Sequence, residues 1–85
     1  MTLPRHTVYI IQSDRQPERF YTGLTSDLTA RLAAHNAGLS THTATGIPWR
    51  LVVAMMFTDV DNKAQAFEGY LKSGSGRAFA ARHFR

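Results

Sequence analysis

The chain has 85 residues, no cysteine, and ten Lys plus Arg against six Asp plus Glu, for a net charge of +4. That length suits a single domain over residues 1–85, and the missing cysteines exclude a disulfide framework, thiolate metal sites and a cysteine nucleophile. The longest apolar run, Leu51 to Phe57, falls far short of the roughly 20 residues of a membrane helix, and Val8 to Ile11 is too short for a signal-peptide core. The expectation is a soluble, cytoplasmic domain with no membrane partner. Eight of the ten cations are arginine, whose planar fork suits phosphate, so the basic balance favours a polyanion such as nucleic acid.

Val8-Tyr9-Ile10-Ile11 is β-branched and aromatic and predicts a first strand. Asp14 to Glu18 is polar, contains Pro17 and reads as a hairpin loop, from which Phe20 to Leu24 returns as a second strand. Thr25-Ser26-Asp27 supplies side chains that cap helix N-termini, so a helix is expected from Leu28 to Asn36, stopped by a left-handed Gly38. A polar Thr/Ser/Gly loop then leads to the most apolar strand, Trp49 to Phe57. Asp59 or Asp61 is expected to cap a second helix bearing Ala64, Phe67, Glu68 and Leu71 on one stripe. Ser73-Gly74-Ser75-Gly76 breaks that helix, and a last one runs from Arg77 to Phe84. The order is β-β-α-β-α-α, and a right-handed crossover places the strands 2-1-3.

Four features stand out from a bland fold. Glu68 lies on an apolar stripe, where an unpaired carboxylate costs several kcal/mol, roughly; a metal ion, an arginine or Lys72 one turn on can each compensate it. Arg31 and His35 sit four apart on one helix and can present a basic pair to a phosphate, or form a solvated edge. Tyr9 and Tyr21 lie on neighbouring strands beside Gly23, a strand glycine of the kind that marks close approach of backbone or ligand; Thr25 next to it reads as a cap. Ser73 to Arg77 reads equally as a phosphate-cradling glycine turn or as a helix stop followed by a new cap.

Taken in order, these residues resemble the GIY-YIG nuclease domain. Thr7-Val8-Tyr9 stands in place of Gly-Ile-Tyr, and Tyr21-Thr22-Gly23 in place of Tyr-Ile-Gly. Arg31 follows ten residues on; His35-Asn36-Ala37-Gly38 resembles the His-Asn-x-Gly helix ending of small stand-alone members; Pro48-Trp49, Glu68 and Leu71-Lys72 complete the pattern. The resemblance implies a mixed α/β domain on a three-stranded antiparallel sheet flanked by helices. It implies a metal-dependent endonuclease hydrolysing phosphodiester bonds in DNA, with RNA left open, structure-selective or of low specificity, leaving 5′-phosphate and 3′-hydroxyl ends. The alternative is a non-catalytic nucleic-acid-binding module, or a nuclease subunit active only with a partner. Carried over residue by residue, the catalytic set is Tyr9, Tyr21, Arg31, His35 and Glu68, and Glu68 is the ligand of Mg²⁺ or Mn²⁺. The expected substrate contacts are Gly23, Thr25, Lys72, Ser75 and Arg77.

Either tyrosine takes the proton of the attacking water, provided neighbouring cations such as Arg31 and the metal favour the phenolate. His35 is then a proton acceptor or a phosphate contact. The loop from Thr41 to Ile47 has no Arg or Lys, where related chains often do, and Leu24 stands where some carry lysine. A monomer or weak homodimer is expected, with a protein partner for sequence specificity.

Overall fold

Each residue of Val8-Tyr9-Ile10-Ile11 is apolar because this strand is buried on both faces, as central strands are. In the computed structural model, which describes residues 6–58 and 62–85, the run lies within β1 (His6–Ser13), followed by β2 (Phe20–Thr25), α1 (Leu28–Asn36), β3 (Trp49–Phe57), α2 (Lys63–Lys72) and α3 (Gly74–His83). The sheet is antiparallel throughout, in the order β2-β1-β3. Both the β-β-α-β-α-α succession and the strand order agree with the expectation from sequence.

The two-residue alternation of β1 divides the core in two. Tyr9 and Ile11 point to one face, where they pack with Trp49, Tyr21 and, from α1, Leu28 and Leu32. Val8 and Ile10 point to the other, against Ala64 and Leu71 of α2 and Ala80 of α3. The sheet is therefore a partition with one helix on one side and two on the other. A register shift between Ile10 and Ile11, whose β3 partners are Val53 and Leu51, lets Val52 bulge from the edge strand.

The helix ends follow local chemistry. Asp27 caps α1, its side chain accepting from the Ala30 N–H at 3.0 Å, and Gly38 closes it with φ +78°. Thr25 is not that cap: its hydroxyl accepts from the Asp27 N–H at 3.0 Å and makes the turn before the helix. The expected caps Asp59 and Asp61 lie outside the described residues, and Asn62, with φ +56°, precedes α2.

The last helix corrects the sequence reading. Ser73 alone separates α2 from α3; its Oγ accepts from the Gly76 N–H at 3.2 Å, and the helix begins at Gly74 rather than Arg77. Gly76 is buried where α3 crosses the end of α2, and a Cβ there would run into the Tyr70 carbonyl and lie 2.6 Å from Leu71 Cα. The glycine answers to close packing of two helices, a demand that looks the same in sequence as a turn. The phosphate-cradling turn does not form: Ser75 and Arg77 are exposed residues inside a helix.

Gly76→Ala is expected to destabilise the fold by about 3 kcal/mol, because the collision is with backbone that cannot rotate away. In a domain of this size that is a fall in Tm of about 15 °C, measurable by circular dichroism. An unchanged Tm would show that the α2–α3 crossing can open without cost.

Candidate active site

Tyr9 and Gly23 are direct partners across β1 and β2, as are Ile11 and Tyr21, so both tyrosines and the glycine share the face that α1 covers. A Cβ on Gly23 would collide with Cζ and Oη of Tyr9. The glycine thus makes room for the phenol ring to lie across β2, not for a ligand. Tyr9 is 1% exposed, and the Tyr9 and Tyr21 ring centroids are 6.3 Å apart.

A buried phenol needs a partner. The turn at Thr25 and the cap at Asp27 set α1 so that His35, on its last turn, points into the same face. Its Nε2 lies 2.8 Å from Tyr9 Oη and its Nδ1 2.8 Å from Thr43 Oγ1. The Tyr21 ring meets the imidazole edge-on at 5.0 Å. His35 and Thr43 are each 1% exposed, so three polar groups form a chain closed off from solvent. Burial removes the expected phosphate-contact role of His35. Arg31, four residues earlier, is exposed, so the two do not form an exposed basic pair.

The loop before β3 delivers Thr43. The Trp49 indole donates to the Thr43 carbonyl at 2.7 Å, and Arg19 donates to Thr45 Oγ1 at 2.8 Å and to the His42 carbonyl at 3.1 Å. Asn36 brackets the start of β3: its amide donates to the Trp49 carbonyl at 3.0 Å and accepts from the Trp49 N–H at 2.6 Å. Sequence reasoning gave no function to Thr43, Arg19 or Asn36. Asn36 was visible within the His-Asn-x-Gly ending, whereas nothing marks Thr43 among the neighbouring hydroxyl residues Ser40, Thr41 and Thr45.

The electrostatics reverse one expectation. Burial pushes the Tyr9 pKa up from 10.0 to about 12, helped by coupling to the neighbouring Tyr21 phenol and by the Glu68 carboxylate, and Arg31 offsets this only in part. Without a metal ion the resting phenol is protonated, and Arg31 alone does not hold it as phenolate. His35 is lowered below 6.5, mainly by burial and then by repulsion from Arg31, so it is neutral near pH 7 and free to accept a proton.

Glu68 is not an unpaired buried carboxylate. Its side chain is 20% exposed, and Oε2 lies 2.9 Å from Lys72 Nζ, the i,i+4 pairing its spacing allows. Its charge is nevertheless felt at Tyr9, together with that of Arg31. Among the described residues no three His, Cys, Asp or Glu side chains are grouped to hold a metal ion. A divalent ion at Glu68 would therefore have one protein carboxylate, an arrangement that fits magnesium, which keeps several waters and takes substrate phosphate oxygens.

A family model described as the GIY-YIG catalytic domain matches residues 5–80, and the chain belongs to this family, a nuclease superfamily. Comparison with curated proteins returns no match.

Two measurements check the geometry. Gly23→Ala must displace the Tyr9 ring and break its bond to His35, costing about 2–3 kcal/mol in denaturant unfolding; a smaller loss than 1 kcal/mol, roughly, would mean the ring can repack. The unfolded chain protonates His35 more readily than the folded one does, so this residue's contribution to stability is lost as pH falls below 6.5. Melting curves from pH 7.5 to 4.5 should therefore fall more steeply for the native protein than for His35→Gln. Parallel slopes would contradict the buried neutral imidazole.

Proposed function

We propose that this chain is a divalent-metal-dependent endonuclease that hydrolyses phosphodiester bonds in DNA. The observation that carries the reading is the buried chain from Tyr9 through His35 to Thr43, set beside Arg31, Tyr21 and Glu68. Such a chain of desolvated polar groups is needless for passive binding, which favours catalysis over a non-catalytic module.

The reaction follows from the protonation states. With Tyr9 a phenol and His35 a neutral imidazole, the bound strand has to displace the half-buried Tyr21 ring to bring the attacking water to Tyr9 Oη, and the water's proton then passes to Oη as Tyr9 gives its own to His35 Nε2. One O–H bond of the water breaks, a new P–O bond forms, and the bond to the leaving oxygen breaks in turn. No free phenolate accumulates, so the high pKa of Tyr9 is no obstacle. With Nε2 the acceptor, the neutral ring carries its proton on Nδ1, so Thr43 Oγ1 accepts from Nδ1 at rest and goes on doing so once the ring is an imidazolium. Arg31, exposed on the same helix, is placed in the proposal as the clamp on the scissile phosphate. Tyr21, half-buried beside His35, lines the substrate side. Glu68 would hold the divalent ion, which when bound supplies positive charge for the phosphate and the leaving oxygen. Arg31 and Lys72 offer contacts to phosphate rather than to base edges, so cutting should follow backbone shape more than sequence.

Labelled duplex, flap, branched and single-stranded DNAs incubated with Mg²⁺, Mn²⁺ or EDTA test the reading. Cleavage should require metal and fall by about 100-fold or more in Glu68→Ala and Arg31→Gln. Its kcat/KM should lose activity toward acid with a midpoint below 6.5, because His35 must be neutral to accept the proton. Native rates in Glu68→Ala, or no cutting of any DNA with either metal, would overturn the proposal.

A further inference from the structure

Beside the candidate active site, on the outer edge of β2, lies a concavity of about 220 Å³ whose walls include Phe20, Tyr21, Lys72, Arg77 and Arg85. Three of its seven lining residues are cationic, and among the described residues no Asp or Glu side chain lines the space. Lys72 is engaged by Glu68 from outside it. Neither Arg77 nor Arg85 has an ion-pair partner among the described residues. The Arg85 guanidinium lies 4.3 Å over the Phe20 ring, a stacking that holds its fork without using its N–H donors. Two guanidinium groups that line one small concavity, neither ion-paired among the described residues, leave their N–H donors for an anion held between them.

The size of the cleft narrows the anion. Its volume is below the roughly 300 Å³ at which pockets for whole small-molecule ligands begin, so it suits one anionic group of a longer chain better than a complete nucleotide. Its location narrows it further. Tyr21 has its ring edge-on to His35 and also lines this cleft, and Lys72 joins the cleft to Glu68. An extended polyanion with one phosphate at the candidate active site would meet the cleft as it leaves along β2.

We infer that this cleft seats a backbone phosphate of the substrate strand next to the one that is cut, held by Arg77 and Arg85 together. The inference rests on the nuclease reading above and adds a substrate-positioning site to it. Because both arginines serve one phosphate, losing either forfeits most of the contact.

The test is cleavage kinetics as a function of salt for the native protein, Arg77→Gln, Arg85→Gln, the double variant, and Arg82→Gln, an exposed arginine of α3 that does not line the cleft. The double variant should raise KM about tenfold and leave kcat within about twofold, and the slope of log(kcat/KM) against log salt should become shallower by about one, the signature of one lost phosphate contact. Each single variant should show most of that effect, and Arg82→Gln none. The charge-keeping pair Arg77→Lys with Arg85→Lys should recover most of the slope, which separates lost phosphate binding from lost folding. A mononucleotide should not compete at concentrations where a DNA oligomer does. If the native protein cuts and the cleft variants match Arg82→Gln, or lower kcat instead of raising KM, or if the mononucleotide competes as well as the oligomer, the cleft assignment falls while the nuclease stands. If the native protein cuts no DNA, the nuclease reading falls and takes the cleft with it.

Discussion

The hydrogen bond between Tyr9 and His35 is the constraint around which this small molecule is arranged. A phenol and an imidazole are sunk together into one face of the sheet, and each is costly there unless the other satisfies it. From that pairing follow the glycine at position 23, without which the ring has no room, and the seating of α1 against the sheet by its last turn. The far ring nitrogen then needs a partner of its own, and Thr43 provides it. Removing any one member leaves a buried polar group without its bond, which is why the features of the site are so interdependent.

The same constraint explains the composition of the loop before β3. A loop that gathered phosphate would carry cations, and this one carries none between Thr41 and Ile47. Its work is internal: it brings one threonine hydroxyl to the imidazole, and three separate devices hold it in place. Trp49 fixes the Thr43 carbonyl, Arg19 reaches across from the end of the hairpin loop to His42 and Thr45, and Asn36 ties the helix to the first residue of β3. Arg19, a cation by type, is used here as a brace, its guanidinium also 5.5 Å from the Trp49 ring.

What the sequence made legible was what short-range chemistry decides. The β-branched run of β1, the Thr25–Asp27 entry to α1, the left-handed Gly38 and the strand order all follow from local rules and from the handedness of the crossover. The motif residues likewise singled out Tyr9, Tyr21, Arg31, His35 and Glu68, and of these the structure joins Tyr9 to His35 and sets Tyr21 against the imidazole. The errors share a different cause: each depended on a neighbour distant in sequence. Ser73 to Gly76 read as a turn because a glycine that admits another helix looks the same as one that admits a positive φ. His35 read as solvent-facing because the helix pattern does not reveal that a tyrosine 26 residues earlier needs its Nε2. Glu68 is the reverse case: its i,i+4 partner Lys72 is in plain view in the sequence, and the pair forms.

The sign of the Tyr9 shift has the widest consequence for how such a site can work. Arg31 acts on both ends of the proton chain in opposite senses: it favours a charged Tyr9 and disfavours a charged His35. With its charge uncompensated, it holds the imidazole neutral while failing to ionise the phenol, so the proton stays on Tyr9. An anion bound to Arg31 cancels much of that field. His35 then becomes more basic and Tyr9 less acidic, a combination that favours transfer through the pair over storage of charge on the tyrosine. In the proposed reaction, the burial that disfavours phenolate is thus what favours a paired transfer, and the arginine would couple that path to the presence of a phosphate.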